Sequence, residues 1–181
     1  SNPTELTVAG NKLFFAASRA LGGREIWSSD GTYNGTQMLR DIAEAGSGLS
    51  SSNPEQLTAV GDNLYFTAET FAHGRELYRY DPSVFQSVFL VKDINVGNET
   101  SDPVELTAVG STLYFVANSP FTGRVVWKSG GTNATTLPTQ GWNQAFPITS
   151  PSELTDVNGT LYFSGFLESV GQELFKSNGT S

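Results

Sequence analysis

Apolar and polar positions alternate along this chain with a period of two, over short stretches broken by Gly, Asn, Asp and Ser. No segment carries the 3.6-residue apolar repeat of a helix, so the elements predicted are strands. In the stretch NLYFTA (63–68), Leu64 and Phe66 face one way and Tyr65 the other. A strand apolar on both faces has to be covered on both. A second kind of strand, LTAV, precedes it across a two-residue turn: Gly10-Asn11, Gly61-Asp62, Gly110-Ser111 or Asn158-Gly159. Such turns between alternating segments are hairpin signals. A third kind, REIW or RELY, and a fourth, FLVKDI, follow.

The same order of strands recurs. PTELTVAGNKLFF starts at Pro3, PEQLTAVGDNLYF at Pro54, PVELTAVGSTLYF at Pro103 and PSELTDVNGTLYF at Pro151, with spacings of 51, 49 and 48 residues. GREIWSSDGT, GRELYRYDPS, GRVVWKSGGT and GQELFKSNGT start in phase at Gly23, Gly74, Gly123 and Gly171. The fourth segment reads TQMLRDI and VFLVKDI in the first two units, degenerates to TTLPTQGW (135–142) in the third and has no counterpart in the fourth. The units are 1–51, 52–100, 101–148 and 149–181. Antiparallel four-stranded units of this length, each covered by its neighbours, predict an all-β fold, a β-propeller of four repeats whose last blade is incomplete. The chain is then one propeller domain or a fragment of a larger one. A β-sandwich is the alternative, but it does not require one unit repeated in phase.

Composition narrows the function. Net charge is −8 and the isoelectric point is near 4.5, which argues against nucleic acid and against anionic membrane surfaces. No apolar run reaches the length that a spanning helix needs. No signal-peptide pattern stands before Pro3, where the chain is already inside the repeat, so a trimmed leader stays open. Absence of cysteine removes disulfides, thiol catalysis and thiolate-bound metal.

GREIWSSDGTYNGT, then LRDI, SSNPEQLTAVGDNLYFTA and HGRELY, resembles the ELWxxDGT repeat family across essentially the whole chain. That resemblance implies a propeller-like repeat domain from a large secreted or surface-exposed bacterial protein. It implies no catalytic or binding residues. The copies also depart from the pattern. Tyr78 and Phe175 stand for Trp, Val125 for Glu, Asp-Pro-Ser (81–83) for Asp-Gly-Thr, and Gly130 and Asn178 for Asp. Asp, Asn and Gly share a turn preference and not an acid, so Asp30 is expected to accept backbone hydrogen bonds beside a left-handed Gly31. Trp27, Tyr78, Trp127 and Phe175 share bulk, which suits packing between blades. Glu25, Glu76 and Glu173 are expected in solvated or inter-blade ion pairs with Arg24, Arg75 or a neighbouring blade. Asp41 and Asp93 would form part of a cation-binding ring only with an equivalent in the third unit, which is lacking. No calcium-loop spacing occurs, so no metal and no cofactor is expected.

His73 has no second His or Cys partner and reads as a loop histidine making local hydrogen bonds. Phosphate-loop and nucleophile-elbow motifs are missing. Sequons at Asn34, Asn98, Asn133, Asn158 and Asn178 fall mostly in the repeat turns, and the bacterial resemblance leaves them unused.

Antiparallel connections alternate between the two ends of a blade. The turns joining first to second strands are uniform. Those joining second to third (18–22, 69–73, 118–122, 166–170) and unit to unit (43–54, 141–151) vary and share the opposite end. Variable loops on a rigid scaffold are where binding resides, which makes Phe71, His73, Phe121, Trp142 and Phe146 the candidate ligand contacts. The competing reading is that these aromatics merely cover the blade ends. The function expected is a non-catalytic recognition or scaffold module, binding protein or carbohydrate, with edge strands open to neighbouring repeats or chains. The alternative is a polysaccharide-active hydrolase or lyase with carboxylates clustered near the propeller axis. Against it, the irregular third unit loses acids and gains none.

Overall fold

The structure, a computed structural model, describes residues 1–19, 23–43, 51–84, 87–139 and 148–177. Their strands form four antiparallel sheets, each a meander in chain order. The first sheet holds β1 (Thr4–Ala9), β2 (Lys12–Ser18), β3 (Arg24–Ser29) and β4 (Gln37–Arg40). The second holds β5 (Glu55–Val60), β6 (Asn63–Thr70), β7 (Gly74–Asp81) and β8 (Ser87–Lys92). In the third are β9 (Val104–Val109), β10 (Thr112–Ser119), β11 (Gly123–Ser129) and β12 (Leu137–Pro138). The fourth has three strands among the described residues, β13 (Thr149–Val157), β14 (Thr160–Leu167) and β15 (Gly171–Ser177). A 3-10 turn at Asn133–Thr135 is the one helical element described. The degenerate segment of the third unit keeps a short strand, with Leu137 opposite Lys128 and Pro138 opposite Trp127.

Each sheet carries the same aromatic pair across its middle strands. Phe15 stacks on Trp27, Phe66 on Tyr78, Phe115 on Trp127 and Phe163 on Phe175, at centroid separations of 6.5, 6.1, 6.5 and 5.7 Å. Directly opposed partners bring the rings together, so any flat ring serves. Apolar layers then fill the gaps between successive sheets. Phe14 and Ile26 meet Leu64, Phe66 and Tyr78. Tyr65 and Leu77 meet Leu113, Phe115 and Trp127. Val116 and Val126 meet Leu161 and Phe163.

The first strands of the sheets bind sheet to sheet through polar groups. Glu5, Gln56, Glu105 and Glu153, one in each first strand, adopt φ of 60°, 59°, 56° and 59°. These left-handed residues sit at register shifts, as β-bulge residues do. The bulge turns the side chain toward the next sheet. Glu5 accepts from the Leu57 amide at 3.4 Å, Gln56 from Glu105 at 3.1 Å, and Glu105 from Leu154 at 2.9 Å. Two residues on, Thr7, Thr58 and Thr107 donate to the carbonyls of Leu57, Leu106 and Leu154 at 3.1, 3.2 and 3.1 Å.

The residues of GREIWSSDGT and its copies take the places their turn chemistry dictates, with one correction. Asp30 Oδ1 accepts from the Thr32 amide at 2.9 Å and from its hydroxyl at 2.7 Å, with Gly31 at φ 90°. These bonds hold its carboxyl below the ordinary value. Asp81 and Ser83 repeat the arrangement in the Asp-Pro-Ser copy. Glu25 and Glu76, expected in solvated or inter-blade ion pairs, are instead fully buried and bind backbone. Glu25 accepts from the Ile42 amide at 3.1 Å and from the Ser52 amide and hydroxyl at 2.8 and 2.5 Å. Glu76 accepts from Ile94, Asn95 and Ser101 amides and from the Ser101 hydroxyl, at 2.6 to 3.3 Å. Each carboxylate therefore fastens the connection that leads to the next sheet. Arg24 and Arg75 turn to the start of their own units, at the carbonyls of Asn2 and Asn53. Glu173 alone of the three is exposed.

Candidate functional site

A cleft of about 420 Å³ opens between the first and second sheets, where the β6–β7 turn lies beside the end of the first unit. Arg40, Ile42 and Ala43 line it from the first unit; Thr70, Phe71, Ala72 and His73 line it from the β6–β7 turn; Tyr78, Phe89 and Leu90 form the rest. Glu25 positions the first wall, because it holds the Ile42 amide. Arg40 is fixed across the gap by a 2.8 Å bond to the Val88 carbonyl. Burial raises the Tyr78 hydroxyl above its ordinary pKa, while its bond to Thr70 pulls the other way.

The His73 ring is oriented by Asp93. Nδ1 lies 2.9 Å from Asp93 Oδ2, which also accepts from the Gly97 amide at 3.2 Å. A carboxylate at Nδ1 keeps the proton on that nitrogen, leaving Nε2 to accept when the ring is neutral and to donate when it is charged. Asp93 Oδ1 is buried and has no hydrogen-bond partner among the described residues. The loop is further braced by a 3.1 Å bond from the His73 amide to Thr70 Oγ1. Asp41, the equivalent acid of the first unit, pairs with Arg19 at 3.5 Å. Both acids are thus engaged by a basic side chain of their own unit's turn.

Of the five residues expected at a recognition face, Phe71 and His73 share this cleft. Phe121 occupies the matching turn of the third sheet, 93% exposed and outside the cleft. Trp142 and Phe146 lie outside the described residues. Arg40, Tyr78, Phe89 and Leu90 were not foreseen: they sit at repeating strand positions, and nothing in a repeat marks the copy that lines a cavity. Among the described residues no group of three or more His, Asp and Glu side chains is arranged to hold a metal ion. No described helix is long and apolar enough to cross a membrane.

No family model matches the chain, and no curated protein does. Among solved structures it is similar to TolB from Acinetobacter baumannii, at 18% identity and a TM-score of 0.47 over 93% of this chain. The match spans 41% of that protein's chain.

Proposed function

We propose that the chain is a non-catalytic recognition module, with its sheets as consecutive blades of a β-propeller, binding a protein or glycan at the end where the variable turns gather. One observation carries this reading: Phe71, 67% exposed, stands on the rim of a 420 Å³ cleft that combines apolar and aromatic side chains with polar ones. Apolar walls with a few fixed polar groups suit ligand recognition. Arg40, Thr70 and His73 supply those polar groups. The hydrolase reading needs two carboxylates flanking the bond to be cleaved, and the residues lining this cleft include neither Asp nor Glu. Placement in the ELWxxDGT repeat family, at the bacterial surface or outside the cell, rests on the repeat motifs and is part of the same proposal.

Phe71→Ala and His73→Ala test it. A glycan array and a bait pull-down with the wild-type chain identify ligands. Each variant is expected to weaken the strongest of them at least about tenfold, the effect of losing one good contact, with the melting temperature unchanged. Phe121→Ala, outside the cleft, should leave that affinity intact. Full affinity in both cleft variants would overturn the assignment.

A further inference from the structure

On a chain of net charge −8, the cleft between the first and second sheets is lined by one guanidinium, one imidazole and two hydroxyls, and by no carboxylate or amide side chain. Arg40, held across the gap by the Val88 carbonyl, donates hydrogen bonds and accepts none. His73 gives Nδ1 to Asp93 at 2.9 Å, and its side chain stays 40% exposed, so Nε2 is the nitrogen presented to the cleft. That nitrogen accepts in a neutral ring and donates in a charged one. The Tyr78 hydroxyl keeps its proton at neutral pH, because burial raises its pKa, and adds no negative charge.

This set of groups selects a ligand by its chemistry. Sugar hydroxyls and ammonium groups have protons to give and call for carboxylate or amide acceptors, which are not among the lining residues. A carboxylate only accepts, and it matches a guanidinium and a charged imidazole in both charge and geometry. Beside them Ile42, Phe71, Phe89 and Leu90 offer apolar contact. Phe71, 67% exposed, stands at the open rim, where a chain attached to the bound group can leave.

Building on the recognition reading above, we infer that the cleft takes the C-terminal residue of a peptide. Its carboxylate is received by Arg40 and a protonated His73, and its apolar side chain by Phe71 and Phe89. Binding then strengthens as pH falls through the range in which the ring gains its charge. A peptide C-terminus is ionised throughout that range, so its own charge does not change. The charged or titratable groups around His73 are Asp93 on the connection after β8, Arg40 on β4 and Tyr78 on β7. Asp41, next to Arg40, pairs with Arg19 at 3.5 Å. Glu76, buried near Tyr78, has its pKa raised to about 7 and loses its proton in the same range.

His73 is the one histidine in the sequence, so its ring protons give NMR signals that need no assignment and that separate its titration from that of Glu76. The probes are the tripeptide Gly-Gly-Phe as its free acid and as its C-terminal amide. At pH 6 the acid should bind at least about tenfold tighter than the amide, the size of one charge-assisted hydrogen bond. Most of that advantage should be lost by pH 8. By reciprocity, saturating acid should raise the pH at which the ring titrates by about one unit, and the amide should leave it in place. His73→Gln should remove the pH dependence. Equal affinity for acid and amide overturns the inference and leaves the recognition reading standing. Glucuronate or phenylacetate bound as tightly as the peptide acid overturns it in favour of an acidic sugar or a free small acid. A ring that responds to none of these probes overturns it too, whereas the recognition reading falls only if Phe71→Ala and His73→Ala keep full affinity for their ligand. Should His73→Gln fail to fold, the titration of the wild-type ring decides alone.

Discussion

A carboxylate sealed at the end of a sheet, as Glu76 is, ties stability to pH. Burial raises its pKa to about 7, against four hydrogen bonds that pull it down. In the unfolded chain it ionises near the ordinary glutamate value of about 4.3. Between those pH values the folded state holds the proton that the unfolded state has released, so stability falls as pH rises through this window. The loss is at most about 4 kcal/mol, at about 1.4 kcal/mol per pKa unit. Denaturant unfolding at pH 5 and pH 7.5 should show this decline in the wild type and a smaller one in Glu76→Gln. Glu25, whose pKa burial also raises, keeps part of the slope. A second residue-scale prediction concerns Gly74, at φ 59°, where an added Cβ would lie 2.4 Å from the Glu99 carbonyl oxygen. Gly123, at φ 66°, has open space at that position. Both Ala variants incur backbone strain of about 1 kcal/mol, and Gly74→Ala should cost roughly 1–2 kcal/mol more, read as a lower melting temperature. The turn role of Asp30 and the interchangeable ring at Trp27 were legible in the sequence because sister copies show what each position tolerates. For Glu25 and Glu76 the same comparison held one hint, Val125 in their register, but Val is also at home on a solvated strand face, so the sister copies did not separate a buried acid from an exposed one.

At the scale of elements, the stacked ring pairs divide by where their sheet sits. Phe115 is fully buried between the second and third sheets, and Phe15 borders the open face of the first. Phe115→Ala should cost about 3–5 kcal/mol, the range for emptying a core site of that size. Phe15→Ala should cost less than half as much, because part of its area already meets water. Thermal unfolding of the two variants side by side separates them. Strand identity and order were readable from alternation and from the two-residue turns. The left-handed residue inside each first strand was not, because Glu and Gln carry no turn signature. It belongs to a bulge of its own strand pair, since Glu153 keeps the same φ of 59° without the bond to an amide of the next sheet, about fifty residues on, that Glu5, Gln56 and Glu105 make.

For the whole molecule, the register of four units followed from the repeat alone. The cleft did not. It arises from the gap between two particular sheets, and a repeat sequence does not say which gap stays open. Its residues come from both units, and the carboxylate that sets one wall, Glu25, also grips Ser52, at the far side of the connection. A connection pinned at both feet by one side chain is mechanically insulated from the frame. Its intervening segment can be exchanged or lengthened without shifting the sheets, so this repeat is suited to serve as a mount for interchangeable loops, with new specificities arising by loop replacement on an unaltered frame.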